Sequence, residues 1–267
     1  MVKNTLEEIV LASIQAGLNS IGFSSHAPIP FPSLWNMKAA DVANYQNEIE
    51  RLKQRFKDEI EIYTGFEIDF IPHYTSKNYF RKVGLTPHYT IASVHYLDFL
   101  DENEAWEIDG NPEIFQIGVQ QLYHGDLKAV VKRYFYVMME MIEQLTPDIL
   151  GHIDKIKIQP LLHQSGICNT PFYFGLVNET LDLCAENDVM VEINNRGIYR
   201  NLTTTFYPSP EIVKMMYEKQ IKIVLNTDAH QTSELGIFGK QEIELIQQVG
   251  YKTAFQLLDN KWVEFTL

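Results

Sequence analysis

Six short apolar stretches of this chain run directly into a histidine or an acid: SIGFSSH, EIYTGFEIDF, YTIASVHYL, DILGHID, VMVEINN and IKIVLNTDAH. Segments with helical character precede most of them. Residues 5–17 carry Leu6, Ile9, Val10 and Ile14 at helical spacing, with Thr5 and Glu8 placed as a capping box. Further helices are expected over 41–58, 128–145, 174–187 and 209–219, and EIELIQQVG leads into a last strand, YKTAFQLL. Alternation of this kind predicts β/α units around a parallel sheet. The polar residues choose the architecture. His26, Glu67, His95, His152, Glu192 and the pair Asp228/His230 all fall at strand exits. A closed β/α barrel gathers strand exits at one mouth, whereas an open doubly wound sheet spreads them along an edge. A single barrel domain over 1–267 is therefore expected. The acidic stretch 98–127 reads as an irregular insertion or lid over the mouth.

Composition narrows the function. Lys and Arg number 22 against 35 Asp and Glu, a net charge of −13, which disfavours long nucleic acid as a partner. Two cysteines, Cys168 and Cys184, exclude a disulfide scaffold and a thiolate metal site. No apolar run is long enough to span a membrane, and the opening MVKNTLEEIV has no secretory character, so a cytoplasmic protein is expected. There is no G-x-S-x-G elbow, P-loop or G-x-G-x-x-G.

What remains is a set of imidazoles and carboxylates without thiolates, which suits zinc, manganese or iron in a site with positions open to water and substrate. His26, Glu67, His95, His152, Asp228 and His230 are the candidate metal ligands. In TDAH, Asp228 and His230 are two apart, so an extended strand would point both to one side. In GFEIDF, Glu67 and Asp69 share a face in the same way. Glu67 is read as a ligand and Asp69 as a group that holds a histidine's second nitrogen. A carboxylate at Glu67 can bridge two cations about 3.5–4 Å apart, as in two-metal displacement at phosphorus. His73, His88, His124 and His163 lie in loop-like sequence and read as surface or lid residues, His88 without an obvious partner.

The ordered set SSHAPIPF, GFEIDF, ASVHYLD, GHIDKIKI, VEINNRGIY, YPSPEIVKMM and NTDAH resembles the polymerase-and-histidinol-phosphatase (PHP) superfamily, in its histidinol-phosphatase-like branch. The resemblance implies a distorted (β/α)7 TIM-like barrel with two to three divalent ions at its mouth, hydrolysing phosphate esters. Glu67 would bridge two metals and complete one site with His95 and His152. His26 and His230 would serve a second ion and Asp228 a third. Glu67, Asp228 and His230 are the implied catalytic groups. The family opens with an H-x-H strand, and Met1 stands just before the first helix, so that strand is expected to be absent. Fewer ions, exposed strand edges and a possible homo-oligomer would follow.

Hydrolysis of a phosphate monoester also needs fixed positive charge. Arg196 and Arg200 are the candidate phosphate-binding residues, and Lys155 and Lys157 come second. The resemblance implies histidinol-phosphate phosphatase, acting in histidine biosynthesis on a small phosphorylated substrate. Two alternatives are carried: an enzyme for another small phosphate ester or nucleotide, and a shortened, non-catalytic metal-binding protein.

Overall fold

The computed structural model describes residues 4–102, 104–236 and 238–267. Helix α1 (Leu6–Gln15) starts at the expected capping box: Thr5 Oγ1 accepts from Glu8 N, and Glu8 accepts from Thr5 N. Strand β1 (Ser20–His26), α2 (Val42–Arg55) and β2 (Glu61–Asp69) follow, then a short α3 (Lys77–Lys82) and β3 (Tyr89–Ser93). After β4 (Tyr96–Phe99), β5 (Ala105–Glu107) and α4 (Pro112–Tyr123), the long α5 (Leu127–Leu145) leads to a two-residue β6 (Ile149–Leu150). Helices α6 (Pro160–Ser165) and α7 (Pro171–Glu186) precede β7 (Met190–Asn194). The order closes with α8 (Arg196–Tyr199), α9 (Pro210–Glu218), β8 (Ile223–Asn226), α10 (Lys240–Val249), β9 (Thr253–Leu258) and β10 (Lys261–Thr266).

The main sheet has the order β1-β2-β3-β6-β7-β8-β9-β10, parallel throughout except for the β9–β10 hairpin. Strand β10 was not legible in the sequence as an element. Side chains show that the sheet curls into a distorted barrel-like shell. Tyr63 of β2, Tyr89 and Ile91 of β3, Ile149 of β6, Met190 of β7 and Leu257 of β9 are buried in one cluster, with Trp262 of β10 packed against it. Tyr89 of β3 meets Trp262 of β10, five strands away in the sheet order, with ring centroids 6.1 Å apart, which a flat sheet could not allow. Tyr89 of this cluster lies over two glycines. It crosses Gly22 and Gly65, where a Cβ on either glycine would run into its ring. On the other face, α5 buries Val131, Phe135, Met138 and Ile142 against the sheet and α7, which forms the main core.

Residues 98–127 are more regular than their composition suggests. Strand β5 pairs with β4 as an antiparallel ribbon, and α4 packs on it. The cause is apolar: Trp106 and Phe115 are fully buried with ring centroids 5.4 Å apart, and Trp106 Nε1 donates to Ile114 O at 3.2 Å. Ile108 N donates to His95 O at 3.0 Å, and the Gln159 side-chain amide donates to Ile108 O at 2.9 Å, which ties the segment to the strand exits.

Because Tyr89 needs the bare backbone of Gly65, Gly65→Ala is expected to destabilise the protein by about 1–3 kcal/mol through overpacking. Trimming the ring in Gly65→Ala/Tyr89→Leu should make the two effects less than additive in chemical unfolding; full additivity would show that the ring is not the obstacle.

Candidate active site

Strand alternation builds the centre of the site. Glu67 and Asp69 stand two apart near the end of β2 and project to one side, where three histidines meet them. His26 ends β1 directly opposite Glu67 in the parallel register. His95 and His152 lie two residues beyond the last residues of β3 and β6. The single oxygen Asp69 Oδ1 accepts from His95 Nδ1 at 2.5 Å and from His26 Nδ1 at 3.1 Å. Asn36 donates to the other oxygen of Asp69. Fixing Nδ1 in this way turns the Nε2 of His95 outward as a lone pair. His95 Nε2 and His152 Nε2 stand 3.2 Å apart, and Glu67 Oε1 lies 3.7 and 3.3 Å from them. Ser93 Oγ donates to that same Glu67 oxygen at 2.8 Å.

Charge in this pocket is strongly biased. Burial alone would lower the His26 pKa, but the carboxylates of Asp69, Glu67 and Asp228 raise it to about 10. Burial opposes ionisation of Glu67, yet His26, His152 and His95 hold it well below the ordinary carboxylate range. Burial and the Lys155 cation lower the pKa of His152. Glu192 is buried and accepts from His152 N at 2.7 Å, from Asn194 at 3.0 Å and from Asn226 at 2.6 Å. Burial, then the negative charges of Asp228 and Glu67, push its pKa up to about 7.

The residues fit a divalent metal ion. Glu67, His95 and His152 each offer a ligand atom, all within 4.8 Å of one another, as do His26, Asp69 and His95. His152 Nδ1 is buried with no hydrogen-bond partner, so this ring is not tied into a protein network through that nitrogen. Nitrogen and oxygen donors without thiolates leave positions for substrate.

Asp228 and His230 meet, but not as neighbours on an extended strand. Strand β8 stops at Asn226, and Asp228 takes a left-handed backbone with φ of 50°. Tyr199 Oη donates to Thr227 O and Asp228 O at 2.8 and 3.0 Å, and Arg196 donates to Asp228 O at 2.7 Å, which secures the turn. It brings His230 Nε2 to 3.1 Å from Asp228 Oδ1. A cavity of about 180 Å³ opens beside the histidines, lined by Asp109, His152, Lys155, Asn194, Arg196, Tyr207 and Asp228 among others. A smaller pocket joins Glu67, His152, Glu192 and Asp228. Arg200 is half exposed, 3.7 Å from Glu234, and is absent from the lining of both pockets. Asp109 was not singled out from sequence. Its signal is weak: in WEID, apolar Trp106 and Ile108 alternate with Glu107 and Asp109. His88, expected to lack a partner, accepts from Thr64 N at 3.1 Å through Nδ1 and sits against the Tyr63 ring.

A sequence profile for the PHP domain matches residues 3–196. The chain belongs to the PHP domain family. Among its relatives is a Deinococcus radiodurans protein named "Probable histidinol-phosphatase", 29% identical over 253 residues that cover 94% of this chain and 89% of the relative. The histidinol-phosphatase of Bacillus subtilis is 24% identical over 87% of this chain and 90% of its own length. In fold, this PHP chain matches HisK of Listeria monocytogenes with a TM-score of 0.76 and 21% identity, over 88% of this chain and 92% of that one. It also matches Lactococcus lactis histidinol phosphate phosphatase, solved with zinc, L-histidinol and phosphate (TM-score 0.67, 18% identity, 98% and 94% covered). The distorted TIM-like barrel is thus the shared architecture. Among the described residues no helix is long and apolar enough to cross a membrane.

The raised pKa of His26 has a stability consequence in metal-free protein. A group at about 10 when folded and 6.5 when unfolded contributes stability that is complete below about pH 6.5 and lost as pH rises through 10. After chelator treatment, the stability advantage of wild type over His26→Gln should shrink between pH 7 and 10, measured by thermal melts. An advantage that grows with pH would contradict the charge assignment.

Proposed function

We propose that this chain is a histidinol-phosphate phosphatase, hydrolysing L-histidinol phosphate to L-histidinol and phosphate as a metal-dependent step of cytoplasmic histidine biosynthesis. The observation that carries the reading is the meeting of Glu67, His95 and His152 beside a cavity that also holds Arg196 and Lys155. The names of the relatives supply the substrate.

Glu67, His95 and His152 would hold one divalent ion, with Glu67 shared toward a second ion at His26. Asp228 and His230 would be the remaining ligands; the complete family site takes two to three ions, fewer are expected here, and zinc, manganese and iron are the candidates. Bound there, such ions polarise the phosphoryl oxygens and lower the pKa of water to about 7. The chain's own groups do the rest. Arg196 supplies fixed positive charge at the cavity wall and is itself held by Asp228 O and Tyr199 Oη. Burial opposes ionisation of Asp228, but its bond to His230 and the Lys155 and Arg196 cations keep its pKa low, so it stays a hydrogen-bond acceptor. Asp228 Oδ1 and His230 Nε2, 3.1 Å apart, would serve the reaction through the ions they hold. Glu192 holds the backbone of His152 and so positions that ring. Arg200, outside the cavity, keeps at most a role at its rim through Glu234.

Glu67→Ala and His152→Ala should each lose bound metal and at least about 100-fold in kcat/KM while keeping a wild-type circular dichroism spectrum. In a panel of phosphate esters with added zinc or manganese, L-histidinol phosphate should be preferred. Equal turnover of every ester would replace the substrate by a broader class, and a folded protein that takes up no metal would remove the enzymatic reading.

A further inference from the structure

Lys155 stands among the donors assigned above to metal. Its Nζ is 3.3 Å from His95 Nε2 and 3.5 Å from His152 Nε2, while those two nitrogens are 3.2 Å apart. Its counter-ion is Asp109 Oδ2 at 2.8 Å, just beyond β5 on the ordered insert. An ammonium has three N–H donors and no lone pair. With one donated to Asp109, the others face the two Nε2 positions. A divalent ion bonds through the same lone pairs, so the ammonium and the ion cannot both hold these imidazoles. Two cations at such separation also repel in a site shielded from water. Lys155 has somewhere to go, because it lines the 180 Å³ cavity together with Arg196 and Tyr207. Lys157, two residues on, faces a different group: its Nζ lies 3.3 Å from Asp154 Oδ2.

We propose that Lys155 is a displaceable cation, which occupies the Nε2 lone pairs of His95 and His152 until a divalent ion takes them and then presents its ammonium to the substrate phosphate in the cavity. Asp109 is the tether that keeps this movement short, by holding the ammonium to the insert in both positions. Metal loading and phosphate binding are thereby coupled through one side chain. The inference rests on the metal-dependent reading of the site, and its test separates the two.

Zinc affinity is measured on the full chain by competition with a chelating dye, for wild type, Lys155→Met, Lys155→Arg and Lys157→Met. A hydrogen bond from a charged donor is worth roughly a factor of ten or more, so Lys155→Met should bind zinc about tenfold more tightly. Lys155→Arg keeps the charge and Lys157→Met leaves the contact intact; both should stay near wild type. Lys155→Gln gives the same reading if the methionine variant does not fold. In parallel, acylation of Lys155 in wild type, followed by mass spectrometry, should rise when zinc is added and fall back with inorganic phosphate. Unchanged or weaker zinc binding in a folded, neutral variant, an equal gain in Lys157→Met, or labelling indifferent to zinc overturns the inference while metal-dependent ester hydrolysis stands. Wild type that binds no zinc and turns over no ester overturns both.

Discussion

Two carboxylates on alternate residues of one buried strand hold the site together. Glu67 and Asp69 can face the same way only because β2 is extended up to Asp69, and between them they engage His26, His95 and His152. Their division of labour follows from position. Asp69 is fully buried and shares one oxygen between the Nδ1 atoms of His26 and His95, so it orients the rings. Glu67 turns its oxygens toward the Nε2 atoms, where lone pairs converge. The carboxylates of Asp69, Glu67 and Asp228 raise the His26 pKa to about 10, and the Lys155 ammonium pairs with Asp109 at 2.8 Å. A pocket that recruits positive charge from every side is suited to divalent cations.

The curl of the sheet gathers the strand exits around this pocket, and Tyr89 packs inside it. Tyr89, lying over the bare backbones of Gly22 and Gly65, lets β1, β2 and β3 wrap closely around a single ring. The strand exits then turn inward together, so that Glu192 on β7 can bond to the backbone of His152 beyond β6, and Asn226 on β8 can bond to Glu192. The β4–β5 ribbon and α4 bring one more side chain to the site. Buried Trp106 and Phe115 anchor this segment, and Asp109 reaches from it into the mouth.

Local rules carried much of this. Periodicity placed α1, α2, α5, α7, α9 and α10 but not α3, α4, α6 or α8, the capping box fixed the start of α1, and strand alternation put Glu67 and Asp69 on one face. Alternation gave the right neighbours for a different reason at Asp228 and His230, where a left-handed turn braced by Tyr199 and Arg196 joins them. Composition misled at 98–127, since acidic surface residues concealed the apolar face that packs α4 and β5. Asp109 and Lys155 could not be paired from sequence, because their contact exists only once the segment after β5 packs on the strand exits. Arg196 and Arg200 looked equivalent as isolated cations, yet the short α8 turns Arg196 to the cavity and leaves Arg200 against Glu234.

Glu67, His95 and His152 are proposed to share one divalent ion. Diffraction from zinc-soaked crystals, with data collected on both sides of the zinc absorption edge, tests this most directly. An anomalous peak is expected within about 2.0–2.2 Å of Glu67 and of a ring nitrogen of both histidines. Zinc bound elsewhere on the chain, with these three side chains unliganded and still hydrogen-bonded to one another and to Lys155, would contradict it.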